Sequence, residues 1–231
     1  MWRQWVQAYL ACVAFADDQV GKVLTALDES PYRDNTIVVL IGDNGYHLGE
    51  KNFIQKWQLW EESTHVPLFI RAPGAASGKV CKRPTSLIDL YPTLIDLCGL
   101  PKSPNAGGSK APLGGHSLRP LLKNPENGTW TGPSAALSVV SYQPDGKPGT
   151  GPHFSIRSEK WRYTLCSNDE EELYDHDADP NEWTNQAKNP EYAKVKRELR
   201  TQLTKLVRAS TGPVKSEPET PNPVKAKELP K

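Results

Sequence analysis

The sequence predicts an α/β fold in which a partial sheet with helices is followed by a small C-terminal antiparallel sheet with a helix. Residues Thr36 to Ile41 form a largely apolar, β-branched run that stops at Gly42, as a buried strand would. Apolar residues recur at helical spacing before and after this run. Beyond residue 133, short strand-like runs are separated by turns, which is typical of an antiparallel sheet.

The first two helices follow from the spacing of apolar side chains. From Trp2 to Asp28 these side chains recur at steps of three and four residues, so they share one face of an amphipathic helix. Such a stripe needs another element to pack against. A second helix is predicted over Thr85 to Leu100, because Gly99 and the following proline end its apolar pattern.

The C-terminal part is predicted to hold four strands and one helix. The expected strands are Ala136 to Ser141, Phe154 to Arg157, Trp161 to Leu165 and Glu172 to Tyr174. Asn189 followed by a proline predicts the N-cap and first residue of a helix, and apolar residues continue at helical spacing to Leu206. These elements suffice for a small α+β unit.

Composition shifts divide the chain into four parts. Residues 1–101 form the α/β part, and 102–133 form a Pro/Gly/Ser/Asn-rich connection. Residues 134–208 form the small α+β subdomain, and 209–231 are expected to be a disordered tail because they contain almost no apolar side chains.

Charge and hydropathy exclude two classes of partner. The net charge of +1 gives no electrostatic basis for binding nucleic acid or an anionic membrane. No apolar run approaches the roughly 20 residues needed to cross a bilayer. We therefore expect neither a nucleic acid nor a membrane as partner. The first five residues lack the pattern of a signal peptide, which leaves the compartment unknown.

Two oxygen-bearing side chains, Asp43 and Asn44, follow the predicted strand directly. Ligands of open α/β sheets bind outside the carboxyl ends of strands, and hard divalent cations prefer carboxylate and amide oxygens. The flanking Gly42 and Gly45 would let the backbone approach a ligand. The sequence therefore predicts a metal site here. The alternative is that Asn44-Gly45 is a hairpin turn, but no alternating strand follows it.

Three basic residues could act on an anionic substrate near this strand end. Lys56, thirteen residues beyond Asp43, could neutralise charge on the substrate, although a solvated lysine is the ordinary alternative. His47 could donate to the substrate or act as a general acid, and an exposed or supporting histidine is the alternative. His153 lies beside a predicted C-terminal strand and could face the substrate.

Several segments, taken together and in order, resemble the C-terminal portion of the type I sulfatases, in particular the iduronate-2-sulfatase-like group. The segments that carry the resemblance are Phe15–Leu24, Gly42–Glu50, Lys56, Glu61–Leu68, Asp89–Leu94, Ser117–Leu122, Glu172–Asp175 and Asp179–Pro180. They span nearly all of residues 8 to 190. Each segment alone would be a weak signal.

The resemblance implies an alkaline-phosphatase-like fold and calcium-dependent hydrolysis of a sulfate ester, with a sulfated carbohydrate as the expected substrate. It implies that Asp43 and Asn44 ligate one Ca²⁺ ion, that Lys56 contacts the sulfate oxygens, and that His47 lies close to the substrate. Sulfatases also use a formylglycine made from the cysteine of a Cys-x-Pro-Ser-Arg motif. The resemblance implies a periplasmic or extracellular location.

The chain departs from the family in one respect, because none of its four cysteines begins a Cys-x-Pro-Ser-Arg motif. The paired aspartates of the family's first strand are also absent, and Asp17-Asp18 lies in a predicted helix instead. We expect a fragment with little or no turnover alone, which a separately encoded N-terminal half could complete. The alternatives are a non-catalytic remnant or accessory subunit, and a phosphodiesterase or phosphatase of the same superfamily.

Overall fold

The computed structural model describes residues 2–101, 113–141 and 151–211. The α-helices in these ranges are α1 (Trp2–Asp28), α2 (Glu61–Thr64), α3 (Leu90–Leu97), α4 (Arg119–Lys123) and α5 (Ala193–Thr211). The strands are β1 (Val38–Ile41), β2 (His47–Leu48), β3 (Ile54–Gln55), β4 (Leu68–Arg71), β5 (Ala135–Val140), β6 (His153–Ser158), β7 (Trp161–Leu165) and β8 (Glu171–Asp175). The predicted α/β class with a C-terminal antiparallel sheet and helix is confirmed.

The C-terminal sheet holds the main core of the described residues. Its strands are antiparallel in the order β5-β6-β7-β8, as expected for a meander with short turns. Ile156, Tyr163 and Leu173 are fully buried on one face, where Leu199 and Leu203 of α5 pack against them. Apolar burial of this kind, at about 25 cal/mol per Å², is the principal stabilising contribution to such a unit.

The strand before the predicted metal pair is shorter and more exposed than the sequence predicted. β1 pairs with β4 in antiparallel register, from Val38 opposite Arg71 to Ile41 opposite Leu68. Leu40 and Ile41 are 40% and 41% exposed. The expectation of a buried strand is therefore wrong for this chain, because β4 is the only strand paired with β1 in the described ranges and the faces of this pair stay partly open.

Helix α1 has the predicted bounds, yet the rest of the described chain buries none of its residues. Its first turns contact β2 and the loop before it: the Trp2 indole donates to the carbonyl of Leu48, and the rings of Tyr9 and Tyr46 stack at 5.9 Å. At its other end Asp28 accepts a hydrogen bond from Arg71 of β4 at 2.8 Å. The helix is thus held along one side and remains exposed elsewhere.

The helix predicted over Thr85 to Leu100 is a 3₁₀ turn, Leu87–Asp89, followed by α3. A capping box fixes its start, since the Asp89 carboxylate accepts from the Ser86 N–H at 2.9 Å. The same carboxylate accepts from the His116 N–H at 2.7 Å, so Asp89 also holds the chain that follows residues 102–112. These contacts give a structural role to Asp89–Leu94, one of the segments that carry the resemblance to sulfatases.

The predicted last helix begins with a 3₁₀ turn, Pro190–Tyr192, whose N-cap Asn189 accepts from the Glu191 N–H at 3.0 Å, and α5 follows directly. It extends to Thr211, so the first three residues of the predicted tail belong to α5. Residues 212–231, the rest of that tail, lie outside the described residues, as do 102–112 of the predicted connection. None of the described helices combines the length and apolar character needed to cross a bilayer.

Candidate active site

The loop that carries the predicted metal ligands is hydrogen-bonded at both ends, to α2 and to the residue that precedes β4. The backbone N–H of Gly42 donates to the carbonyl of Pro67 at 3.0 Å. The backbone N–H of Gly45 donates to the carbonyl of Ser63, also at 3.0 Å. The side chains of Asp43 and Asn44 therefore extend from a loop whose two ends are held by backbone hydrogen bonds.

The two glycines have a different function from the one the sequence suggested. A Cβ added to Gly45 would lie 1.8 Å from the carbonyl oxygen of Glu62, and one added to Gly42 would lie 3.2 Å from Pro67 Cδ. The absence of a side chain thus allows close packing on the protein's own backbone. Approach to a ligand is not what requires the glycine at position 45.

The hairpin alternative for Asn44-Gly45 is wrong. These residues lie between β1 and β2, and those two strands do not pair. The short hairpin that does form joins β2 to β3, with His47 opposite Gln55 and Leu48 opposite Ile54. Asn44-Gly45 therefore remains a loop at the end of β1, as the metal-site interpretation requires.

Asp43 is exposed and Asn44 is partly exposed at the end of β1. Within the described ranges, neither side chain makes a hydrogen bond or an ion pair. A carboxylate and an amide that are not engaged elsewhere fit one side of a calcium coordination shell, which takes 6–8 oxygens in proteins in general. The donor chemistry therefore suits Ca²⁺, and two ligands fill only part of its shell.

Lys56 is exposed and lies in a segment with unusual backbone angles. The residues on either side of it, Gln55 and Trp57, have φ of 153° and 78°, and Lys51 and Asn52 have φ of 54° and 58°. Positive φ costs energy for residues other than glycine and persists only where the surroundings enforce it, as at functional sites. The segment around Lys56 is thus conformationally constrained although its side chain reaches solvent.

His47 lies inside the protein, with 0% of its surface exposed. Its ring packs edge-on against Phe53 and Trp60, with centroids 5.7 and 5.8 Å away. Neither ring nitrogen has a hydrogen-bond partner among the described residues. Burial lowers the pKa of His47 below 6.5, against the raising influence of nearby Glu62 and Glu50. A catalytic function for His47 stays a prediction, and it requires the ring to reach substrate.

His153 opens β6, and its Nδ1 accepts from the Ser167 N–H at 3.4 Å. The side chain is partly exposed, so contact with a substrate also stays a prediction. Within the described ranges, no hydrogen bond or ion pair joins any two of the five predicted site residues. A cavity of about 620 Å³ adjoins the other end of the β1–β4 pair, where Asp28, Arg33 and Arg71 line it.

The sequence analysis missed a buried cluster of charges between α2 and the C-terminal sheet. Arg162 forms ion pairs with Glu61 and Glu182, and Arg157 is 3.0 Å from Glu61. His176 Nε2 lies 2.8 Å from Glu182 Oε1. Glu182 follows the Asp179-Pro180 pair noted in the sequence, but nothing local in that motif shows that it is buried.

Glu61, His176 and Glu182 bring three potential metal-ligand atoms within 4.8 Å of one another. Arg162 already provides a cation to both carboxylates, and Arg157 provides a second cation to Glu61. Burial alone would raise the pKa of Glu61 and of Glu182, but hydrogen bonds and these charges lower both below 4.5. Two carboxylates against two guanidinium groups leave the cluster balanced without a metal ion.

The chain matches known proteins over most of its length. A family profile described as "Sulfatase" matches residues 2–100. A "Sulfatase" of Formosa agariphila is 38% identical over 81% of this chain and 33% of that protein. A "Choline-sulfatase" of Rhizobium meliloti is 34% identical over 80% and 33%. An "N-acetylglucosamine-6-O-sulfatase" of Bacteroides thetaiotaomicron is 32% identical over 86% and 35%.

Solved structures agree with these sequence relationships. A protein in complex with its substrate D-glucosamine-2-N,6-O-disulfate has a TM-score of 0.76 at 30% identity, over 88% of this chain and 40% of that chain. A 2-O GAG sulfatase has a TM-score of 0.76 at 28% identity, over 91% and 44%. The phosphonate monoester hydrolase of Agrobacterium radiobacter has a TM-score of 0.72 at 29% identity, over 86% and 40%.

These matches agree in both sequence and fold. The chain spans about a third of the length of the curated relatives it matches. The matched segment includes the strand-end pair Asp43-Asn44 and Lys56. The fold of its structural neighbours is the alkaline-phosphatase-like one that the resemblance implied. Residues 2–100 match the sulfatase family, and the chain is similar to sulfatases in both sequence and fold.

Proposed function

We propose that this chain provides one side of the active site of a calcium-dependent sulfuric ester hydrolase. The observation that carries the proposal is the Asp43-Asn44 pair, whose oxygens lie unengaged in a fixed loop at the end of β1. Lys56, on an exposed and constrained segment of the same region, provides a cation for an anionic ester. Similarity to the sulfatase family supports the reaction class.

Asp43 and Asn44 would hold the Ca²⁺ ion through their side-chain oxygens. The ion, when bound, would stabilise the negative charge that develops on the sulfuryl oxygens. Lys56 would bind the same oxygens and hold the ester in place, because its ammonium group is exposed and makes no ion pair within the described chain. His153 would contact the rest of the substrate. His47 would support substrate binding.

The proposed substrate is a sulfated carbohydrate, with the iduronate-2-sulfatase-like group as the narrower form of the proposal. One relative is named an N-acetylglucosamine-6-O-sulfatase, and one neighbour holds a disulfated glucosamine. A second candidate is the hydrolysis of a phosphorus ester, which the similarity to a phosphonate monoester hydrolase favours. The proposed location, periplasmic or extracellular, follows from the same family resemblance.

The proposed partner is a separately encoded polypeptide that corresponds to the other two thirds of the relatives. It would bring the formylglycine, since no Cys-x-Pro-Ser-Arg motif occurs in this chain. The surface it would cover is the apolar exterior of α1 and of the β1–β4 pair. The large side chains exposed there are Trp2, Trp5, Tyr9, Leu10, Val13, Phe15, Val23, Leu40, Ile41 and Phe69.

Reconstitution tests this proposal. The chain is mixed with the N-terminal two thirds of the Formosa agariphila relative, matured to carry formylglycine, and hydrolysis of an aryl sulfate is measured with Ca²⁺. We expect turnover by the mixture, none by either part alone, and loss of turnover with Asp43→Ala. Activity of the chain alone that Asp43→Ala abolishes would contradict the fragment proposal. Faster hydrolysis of an aryl phosphonate would favour the second candidate, and an inactive mixture would favour a non-catalytic subunit.

A further inference from the structure

A buried ion pair in the C-terminal subdomain contacts the region of the proposed site. Arg162 of β7 is 1% exposed and Glu182, in the turn region after β8, is 0% exposed. The two side chains form an ion pair through Arg162 Nε and Glu182 Oε1. Burying an arginine and a glutamate is costly unless their donors and acceptors are hydrogen-bonded. The other contacts of these two side chains therefore identify the part of the protein that the pair holds in place.

The remaining donors of Arg162 all point at the segment that contains α2, apart from one contact with Ser155. One guanidinium nitrogen donates to the carbonyl of Leu59 at 2.8 Å. The other donates to Thr64 Oγ1 at 2.9 Å and pairs with the Glu61 carboxylate. The second carboxylate oxygen of Glu182, Oε2, accepts from the Glu61 N–H at 3.0 Å. The pair therefore fixes both ends of α2.

Helix α2 in turn holds the loop that carries the proposed metal ligands. The Ser63 carbonyl accepts from Gly45 at 3.0 Å, and the Glu62 carbonyl packs where a Cβ of Gly45 would be. A displacement of α2 would thus be transmitted to Asn44 through one covalent bond. No intervening flexible side chain would absorb it.

The segment around Lys56 is hydrogen-bonded on both sides to the same two residues, Arg162 and Glu182. On one side Lys51 Nζ donates to the carbonyl of Glu182 and lies 4.8 Å from the Trp60 ring and 4.9 Å from the Tyr174 ring. On the other side the carbonyl of Leu59 accepts from Arg162. Lys56 lies between these two attachments, in the stretch with positive φ.

We infer that Arg162 and Glu182 are positioning residues that set the placement of both Asp43-Asn44 and Lys56. The inference rests on the proposed function, since it concerns the residues of that site. Neither side chain needs to touch a metal ion or substrate, because both act through the segment that contains α2, while the backbone carbonyl of Glu182 binds Lys51. The C-terminal sheet would thereby help to position the residues of the site.

Amide hydrogen exchange in the intact chain tests this inference directly. We compare Glu182→Gln with Glu171→Gln, which also neutralises a carboxylate of this subdomain but one that pairs with Lys196 and Arg200 of α5. A charge-assisted hydrogen bond is worth about 1.5–3 kcal/mol, so Glu182→Gln should speed exchange at Gly45 about tenfold or more. Amides of β6 and β7 report the global effect. If Glu182→Gln does not fold, the same exchange comparison is made with Arg162→Lys, which keeps the charge and loses the forked guanidinium contacts.

Terbium luminescence gives a second readout, with Tb³⁺ as the probe for the calcium site and Tyr46 as sensitiser. We expect Tb³⁺ binding that Asp43→Ala removes to weaken about tenfold in Glu182→Gln and to stay unchanged in Glu171→Gln. Unaltered Gly45 exchange in Glu182→Gln, or equal acceleration in both variants, would overturn the positioning inference. Absence of Tb³⁺ binding sensitive to Asp43→Ala would count against the proposed function instead, while the exchange comparison still decides the positioning.

Discussion

The N–H of Gly45 donates to the carbonyl of Ser63 at 3.0 Å, and the Glu62 carbonyl oxygen occupies the space beside the Gly45 Cα. A loop that carries two predicted metal ligands is thereby seated directly on the backbone of α2. The contact leaves no room for any side chain at position 45. It links the end of β1 to a helix that the C-terminal sheet holds.

Gly45→Ala should destabilise the chain. Its Cβ would lie 1.8 Å from the Glu62 carbonyl oxygen, so the loop or α2 must shift. Overpacking of this kind costs roughly 1–3 kcal/mol in free energy of unfolding, which urea denaturation measures. Gly21→Ala is the matched control, because its Cβ meets nothing within 4 Å in α1 and it should stabilise by roughly 0.5–1 kcal/mol. Equal effects of the two changes would contradict the packing described.

Arg162→Met should be among the most destabilising single changes in the chain. It leaves the carboxylates of Glu61 and Glu182 without their principal cation in a buried setting. Removing one partner of a buried pair costs about 3–5 kcal/mol in free energy of unfolding. Lys22→Ala removes an exposed pair with Asp18, which is worth at most about 1 kcal/mol. Thermal and urea unfolding of both variants measures the contrast, and a loss for Arg162→Met no larger than for Lys22→Ala would refute it.

Elements defined by local patterns were predicted well from the sequence. The bounds of α1 and β7 match the predicted ranges, and Asn189 is an N-cap as expected, of the 3₁₀ turn that leads into the last helix. Helical and strand periodicities are recorded within a few neighbouring residues, so a single chain is enough to read them. The position of Asp43-Asn44 at the end of β1 was predicted for the same reason.

Features that depend on distant residues were not predicted. The Arg162–Glu61 pair joins residues 101 apart in the chain, and both side-chain types are usually exposed. The sequence places His47 near the predicted strand end, yet its environment is set by Phe53 and Trp60, which pack edge-on against the ring. Burial of a polar side chain is a property of tertiary packing, and no local pattern records it.

Acid should destabilise the chain through the cluster around Arg162. The pKa values of Glu61 and Glu182 are lowered in the folded state from an ordinary 4.5. Groups of this kind stabilise the fold fully above the unfolded-state pKa, and the stabilisation is lost as pH falls through 4.5 toward the lowered values. The free energy of unfolding should therefore decrease with pH in this window. Glu182→Gln should flatten the decrease, and an unchanged slope in that variant would contradict the assignment.

His47→Met should make the fold less sensitive to mild acid. Because burial lowers the pKa of His47 below 6.5, the unfolded chain binds a proton as pH falls through 6.5 while the folded chain does not. Stability due to this group is therefore complete above pH 6.5 and decreases below it.

Methionine fills a similar volume without the two buried ring nitrogens that have no partner in the described chain. At neutral pH we expect the free energy of unfolding of the variant to be at most about 1.5 kcal/mol below that of the parent, or to exceed it. Urea unfolding from pH 7.5 to 5 measures the parent and the variant. If the parent and His47→Met lose stability in parallel over this range, His47 is not buried in its neutral form.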